Sequence, residues 1–134
     1  MKKLFSIFLL VLISSSVQAE WVYATSSQDK SVDVYIDTGT IKRKNNFVTV
    51  WSKEEFKSVQ RDSIFQIFSG YKSVRRYEEW DCSERTVRTI SYEQFSQNNL
   101  DGKLIKSEGV LISMPENIPP DTLGSRLLKI ICKK

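Results

Sequence analysis

The stretch YKSVRRYEEWDCSERTVRTISY, Tyr71 to Tyr92, decides how the chain is read. It consists of two extended arms joined around Asp81-Cys82-Ser83-Glu84, which makes it a β-hairpin. On the first arm, Tyr71 to Cys82, residues Val74, Trp80 and Cys82 share one parity, so that side is expected to face inward. Arg76 and Glu78 have the same parity, and two charged residues on an inward face predict a bulge or an edge position there. The second arm runs from Thr86 to Tyr92. Cys82 is one of only two cysteines. The other, Cys132, follows an apolar run near the end of the chain, and a bond between them would tie the middle of the chain to its end.

Upstream of the hairpin the same alternation recurs. Glu20 to Thr25 is β-rich and ends in a polar turn at residues 26–30. In Ser31 to Asp37, Val32, Val34 and Ile36 face one way and Asp33, Tyr35 and Asp37 the other, the pattern of a half-buried strand. Thr38-Gly39-Thr40 breaks it. The basic triplet Lys42-Arg43-Lys44 sits at a hairpin loop and Asn45-Asn46 forms a turn. Phe47 to Lys53 is the next strand, rich in β-branched and aromatic residues. Glu54 to Ser69 fits two templates: Phe56 and Val59 have helical spacing, whereas residues 64–68 alternate weakly.

Downstream, Gln94 to Lys103 is polar with turn signals at Asn98-Asn99 and Asp101-Gly102, and Leu104 to Ile112 predicts a strand interrupted at Gly109. Pro115, Pro119 and Pro120 mark a connector. Asp121 to Cys132 predicts a short helix, started by Pro120 or Asp121 and carrying Leu123, Leu127, Ile130 and Ile131 at helical spacing. Gly124 costs about 1 kcal/mol of helix propensity. The expected fold class is therefore α+β: an antiparallel sheet of about six strands, with a C-terminal helix packed on it and clamped by a disulfide.

The first nineteen residues read as an export signal rather than as fold. Lys2 and Lys3 precede an apolar run, Leu4 to Ile13, and Val17-Gln18-Ala19 supplies a cleavage site between Ala19 and Glu20. An uncleaved anchor is the alternative, but a run of about ten residues is too short for about 30 Å of hydrocarbon. The expected domains are thus a cleaved signal at 1–19 and a single domain at 20–134. The whole chain carries 20 basic and 16 acidic side chains, a net charge of +4. Loss of the two signal lysines halves that excess, so nothing in the charge demands a nucleic acid. The expected location is a bacterial periplasm or cell surface. In an oxidising compartment two cysteines usually pair, and a Cys82–Cys132 loop of about 50 residues contributes on the order of 4 kcal/mol. Free thiols or an intermolecular pair are the alternatives.

The chain has no histidine. That removes Ser-His-Asp and Cys-His catalysis, histidine-ligated zinc and the commonest general base. Glycine-rich phosphate loops are missing too. The neighbouring acids Glu54-Glu55 and Glu78-Glu79 point to opposite faces of a strand and cannot converge as a glycosidase pair does, and Asp33 and Asp37 lie about 13 Å apart along one face. No catalytic residue, metal site or cofactor is expected. The basic residues Lys42, Arg43, Lys44, Lys72, Arg75 and Arg76 are either solvated charges balanced by nearby acids or a candidate surface for acidic or sulfated partners. Most of the aromatics Trp21, Tyr23, Trp51, Tyr71, Tyr77 and Trp80 are expected in the core.

An ordered set of short motifs carries a further signal. Tyr35-Ile36-Asp37 is followed by Thr40-Ile41, Lys42-Arg43, Asn46, Val48 and Val50-Trp51. Then come Tyr71-Lys72-Ser73, Glu79-Trp80-Asp81-Cys82, Arg85, Arg88, Tyr92 and the closing Ile131-Cys132. Over nearly all of residues 20–134 this order resembles the surface-adhesin protein E family of Gram-negative bacteria. The resemblance implies the sheet, helix and disulfide already read from the residues. It also implies a non-enzymatic adhesin that binds host proteins of the vitronectin, laminin and plasminogen class, as a monomer or a homodimer. Two departures stand out. The cleavage site has no cysteine, so no lipid anchor is expected. The Pro-Gly-Ser that often opens the family's last helix is here Pro119-Pro120-Asp121.

Two functions from different classes follow: an exported binding module directed at host proteins, and a soluble periplasmic accessory or inhibitor protein directed at a bacterial partner. A small hydrolase is disfavoured by the missing histidine and the diverging acids, and an outer-membrane barrel by strands of mixed polarity.

Overall fold

The computed structural model describes residues 18–64, 69–109 and 113–133. Residues 1–17 of the expected export signal at 1–19, the alternating residues 65–68 and the end of the predicted strand at 110–112 lie outside the described residues. Eight strands form one antiparallel sheet: β1 (Trp21–Ser26), β2 (Val32–Asp37), β3 (Lys42–Lys44), β4 (Phe47–Gln60), β5 (Tyr71–Asp81), β6 (Thr86–Phe95), β7 (Leu104–Gly109) and β8 (Glu116–Asn117). One α-helix is present among the described residues, α1 (Leu123–Ile131), near the C-terminal end. Six strands follow the order β1-β2-β4-β5-β6-β7, while β3 pairs with β4 and β8 with β6.

The central hairpin forms as its alternation predicts. Val74 and Trp80 are 0% and 2% exposed, and Cys82 reaches Cys132 across 5.7 Å between Cα atoms to form the disulfide. Arg76 and Glu78 sit on the inward face of a strand that is not an edge, since β5 lies between β4 and β6. The bulge is on the partner strand. Pairing passes from Tyr77↔Ser91 to Glu78↔Thr89, leaving Ile90 over. That extra residue flips the parity of β6, so Val87 and Tyr92 end on the same face.

Of the segment with two readings, Glu54 to Gln60 is strand. β4 runs fourteen residues through Gln60, because Glu54 and Glu55 pair with both β2 and β5 and a helix there would forfeit both ladders. The basic triplet is strand as well: β3 folds back on β4 through a turn in which Asn45 takes φ 55°.

Helix α1 starts later than Pro120 or Asp121. Asp121 sits at φ 58°, outside helical geometry, and Thr122 is the N-cap. Its hydroxyl accepts from the Ser125 amide at 3.2 Å, while the Ser125 hydroxyl accepts from the Thr122 amide at 3.0 Å. This is a capping box with Ser in place of the usual Glu or Gln. Gly124 has a packing reason: a Cβ there would lie 3.3 Å from Ile118 Cγ2. The helix buries Leu127, Leu128 and Ile131 against Val34, Ile36, Val48, Val50 and Trp80, with Ile118 completing the core. Each such aliphatic side chain contributes roughly 1.5–3 kcal/mol on burial.

Candidate binding face

One helix cannot cover both faces of this sheet, and the alternation of β4 and β5 separates their fates. Val48, Val50 and Trp80 lie under α1. Further along the same face, Ser52, Glu54, Arg76 and Glu78 replace the apolar residues. The Ser52 hydroxyl donates to Glu78 Oε1 at 2.7 Å, and Arg76 Nε donates to Glu54 Oε1 at 2.8 Å. Burial pushes the Glu78 carboxyl up to about 7; the Ser52 hydrogen bond and the Arg76 charge pull the other way, and Glu54 adds to the rise. Beside this network Asp62 accepts from the Tyr71 hydroxyl at 2.8 Å and from the Gln94 amide at 2.7 Å. The Gln94 bond, ahead of that from Tyr71, holds the Asp62 carboxyl below its ordinary value. Burial first, and then the bond to Asp62, push the Tyr71 phenol up to about 12.

Among the described residues the opposite face carries no helix. Trp51 on β4 stacks on Tyr77 on β5 with ring centroids 5.1 Å apart, and the Arg75 guanidinium lies 4.7 Å over the Trp51 ring. Lys53 sits 4.7 Å from the Tyr35 ring and 5.3 Å from that of Trp21. Aromatic and cationic side chains thus alternate across β1, β2, β4 and β5, each contact worth about 0.5–2 kcal/mol. Acids balance the cations: Arg75 pairs with Glu93 at 2.6 Å, Lys53 with Glu55 at 3.3 Å and Arg88 with Glu79 at 2.8 Å. Among the described residues the Nε atoms of Arg75 and Arg88 are buried without a hydrogen-bond partner. A cleft of about 480 Å³ opens on this face between Trp21, Asp37, Gly39, Thr40, Trp51 and Arg75. At the β4–β5 end the face is closed by residues 96–103, where the Asn98 side chain donates to Glu55, to the Phe56 carbonyl and to the Lys72 carbonyl at 2.9–3.2 Å.

The six basic residues singled out from the sequence are not brought together. Arg43 is committed to the helix end, where it donates to the Ile131 carbonyl at 2.7 Å and the Lys133 carbonyl at 3.1 Å. Arg76 is on the helix side with Glu54, and Lys72 is half-buried near the Asn98 loop. Arg75 lies on the open face. Lys42 and Lys44 are exposed beside Phe47 and Thr49, lining a second hollow of about 550 Å³. Trp51 and Tyr77, expected in the core, lie instead on this face with Tyr35, and the strand alternation alone gives Trp51 the parity of Lys53 and Tyr77 that of Arg75. Among the described residues no three His, Cys, Asp or Glu side chains group as a metal site, and no helix is long and apolar enough to cross a membrane.

The family model of surface-adhesin protein E matches residues 21–133. The chain belongs to that family. Its fold is similar to crystal structures of protein E from Haemophilus influenzae. The selenomethionine form superposes with TM-score 0.58 at 16% identity, covering 87% of this chain and 88% of the other. A second crystal form gives TM-score 0.57 at 16% identity, with 87% and 89% covered. Protein E from a non-typeable strain gives 0.55 at 17% identity, with 88% and 78% covered. Among curated proteins none matches the chain. In this family member α1 and the disulfide cover one face of the sheet, and the aromatic face of β1, β2, β4 and β5 is not covered by a helix among the described residues.

Proposed function

We propose that the protein is an exported, non-enzymatic adhesin module that binds host extracellular-matrix or serum proteins of the vitronectin, laminin and plasminogen class. Family membership supports the adhesin role. The observation that carries the binding mode is the Trp51–Tyr77 stack with Arg75 laid over Trp51 on the sheet face that lacks a helix. Aromatic residues and arginine are the side chains that most often dominate binding energy at protein interfaces. Of the candidate cations, Arg75 belongs to this surface, with Lys42 and Lys44 at its β3 rim; Arg43 and Arg76 serve the fold. The charges are balanced by acids, so the face suits a protein partner better than a purely anionic polymer. A second copy of the chain is the alternative occupant.

The test has two arms. Protease added to intact cells, with a periplasmic protein as control, digests the chain if it is displayed outside; protection would overturn the surface location and direct the search to periplasmic partners. Binding of the purified protein to immobilised vitronectin, laminin and plasminogen is then compared with that of Arg75→Glu and Tyr77→Ala. Loss of about tenfold or more in affinity supports the open face, and unchanged binding by both variants would move the site elsewhere.

A further inference from the structure

Asp37 is a buried carboxylate, 7% exposed, with no countercharge from a side chain. Among the described residues no lysine or arginine forms an ion pair with it. Its Oδ1 accepts from the Gly39 amide at 3.1 Å, which caps the turn at Thr38–Thr40, and from the backbone nitrogen of Glu20 at 3.2 Å. Buried charges are ordinarily paired, so a carboxylate held by two neutral amides is an exception that needs a reason.

The second donor supplies it. Glu20 is the residue at which export processing would begin the mature chain, since Val17-Gln18-Ala19 precedes it. We infer that Asp37 is the receptor for the processed N-terminus: hydrolysis of the Ala19–Glu20 peptide bond adds water, releases the Ala19 carboxylate with the leader and leaves an α-ammonium at Glu20, already in hydrogen-bond contact with Asp37. The inference rests on the export reading. It turns a neutral amide contact into an ion pair without moving the chain.

The surroundings hold that nitrogen in place independently. The Glu20 carbonyl accepts from the Thr38 amide at 3.2 Å, and its side-chain carboxylate accepts from the Thr38 hydroxyl at 3.2 Å. Trp21 then pairs with Asp37 as the first rung of β1 and β2. Gln18 and Ala19 line the cleft on the open face together with Asp37, Trp51 and Arg75. Processing therefore also removes one wall of that cleft and places a positive charge at its rim. The charged groups around the new ammonium are Asp37, the Glu20 carboxylate and Arg75 across the cleft. The precursor keeps the hydrogen bond but lacks the charge, so maturation and stability are coupled.

Intact-mass measurement of the exported protein comes first. A chain beginning at Glu20 is expected, and any other start would overturn the inference through the export reading. The docking itself is tested on protein beginning at Glu20, compared with the same chain after selective α-amine acetylation, which keeps the N–H and removes the charge. A charge-assisted bond exceeds a neutral one by about 1 kcal/mol, so acetylation is expected to lower the folding equilibrium constant about fivefold. Asp37→Asn, which keeps an oxygen acceptor, is expected to abolish that difference. An acetylated chain as stable as the free one would overturn the docking while leaving export intact, and this comparison stands even if Asp37→Asn does not fold.

Discussion

The Ser52 hydroxyl on β4 donates to the Glu78 carboxylate on β5 at 2.7 Å, within the polar stretch of the face that α1 otherwise seals. Glu78 therefore has to be desolvated to fold, and its carboxyl titrates at about 7 instead of the ordinary 4.5. The folded state keeps the proton to a higher pH than the unfolded state does. Below about 4.5 both hold it and the group is silent. Stability then falls as pH rises from about 4.5 to about 7 and levels off above. Asp62, whose carboxyl is lowered, acts in the opposite sense and in a window below that of Glu78. Urea denaturation across this range should show a decline of about 3 kcal/mol that is absent in Glu78→Gln. A wild-type curve flat from pH 5 to 7 would show that Glu78 is ionised throughout.

Cys82 and Cys132 join residues 50 apart in sequence. Replacing both by serine should cost about 4 kcal/mol, the loop-closure contribution for a ring of this size. Helix α1 is the element released, because the bridge sits at its C-terminal end. Non-reducing peptide mapping of the wild type should recover one cross-linked peptide pair, and helical circular dichroism should drop in the double variant before the sheet signal does.

Arg43 reaches from β3 to the Ile131 carbonyl at the helix end and to the Lys133 carbonyl just beyond it. Those carbonyls have no intrahelical donor, and a cation suits the helix C-terminus. Arg43→Ala should destabilise by about 1 kcal/mol, a modest value because the side chain is exposed. Arg43→Lys should recover little, since one ammonium cannot span two carbonyls as the guanidinium fork does. Equal stability of Arg43→Lys and wild type in chemical denaturation would contradict this.

Asn98 ties the loop of residues 96–103 to β4 and β5 through three acceptors, and the Asn99 amide adds a bond to Glu55 at 2.9 Å. Asn98→Ala leaves the Phe56 and Lys72 carbonyls without that donor and should cost about 1–3 kcal/mol. Native-state hydrogen exchange should speed up locally, at Leu100 and Lys103, whose amides rest on Ser73 and Ser96. Uniform acceleration across the sheet would instead mean global destabilisation.

Much of the fold is carried by local features of the sequence. Strands β2 and β5 follow from alternation, α1 from its Leu and Ile stripe, and the disulfide from having two cysteines and an export signal. The legible part of the candidate site is Arg75, with Lys42 and Lys44 at its rim. By charge alone Arg75 stands with Lys42, Arg43, Lys44, Lys72 and Arg76, whereas Arg43 goes to the helix end, Arg76 to the helix side and Arg75 to the open face. Alternation puts Arg75 and Arg76 on opposite faces, a fact available from sequence. It does not say which of the two faces the helix will take.

What the sequence by itself determined is therefore the set of elements and their two-sidedness, because residue alternation and helical spacing are properties of neighbours. The tertiary structure decided the rest: that β4 continues to Gln60 because two ladders hold it, and that Ile90 is spent in a bulge that re-phases β6. It also decided that Arg43 is claimed by carbonyls 88 and 90 residues away. Each of these depends on a partner distant in sequence, and a side chain's free energy is set by the partner it finds when water is excluded. Charge alone marked six candidates; only the packing of α1 on one face left Arg75, beside Trp51 and Tyr77, on the other.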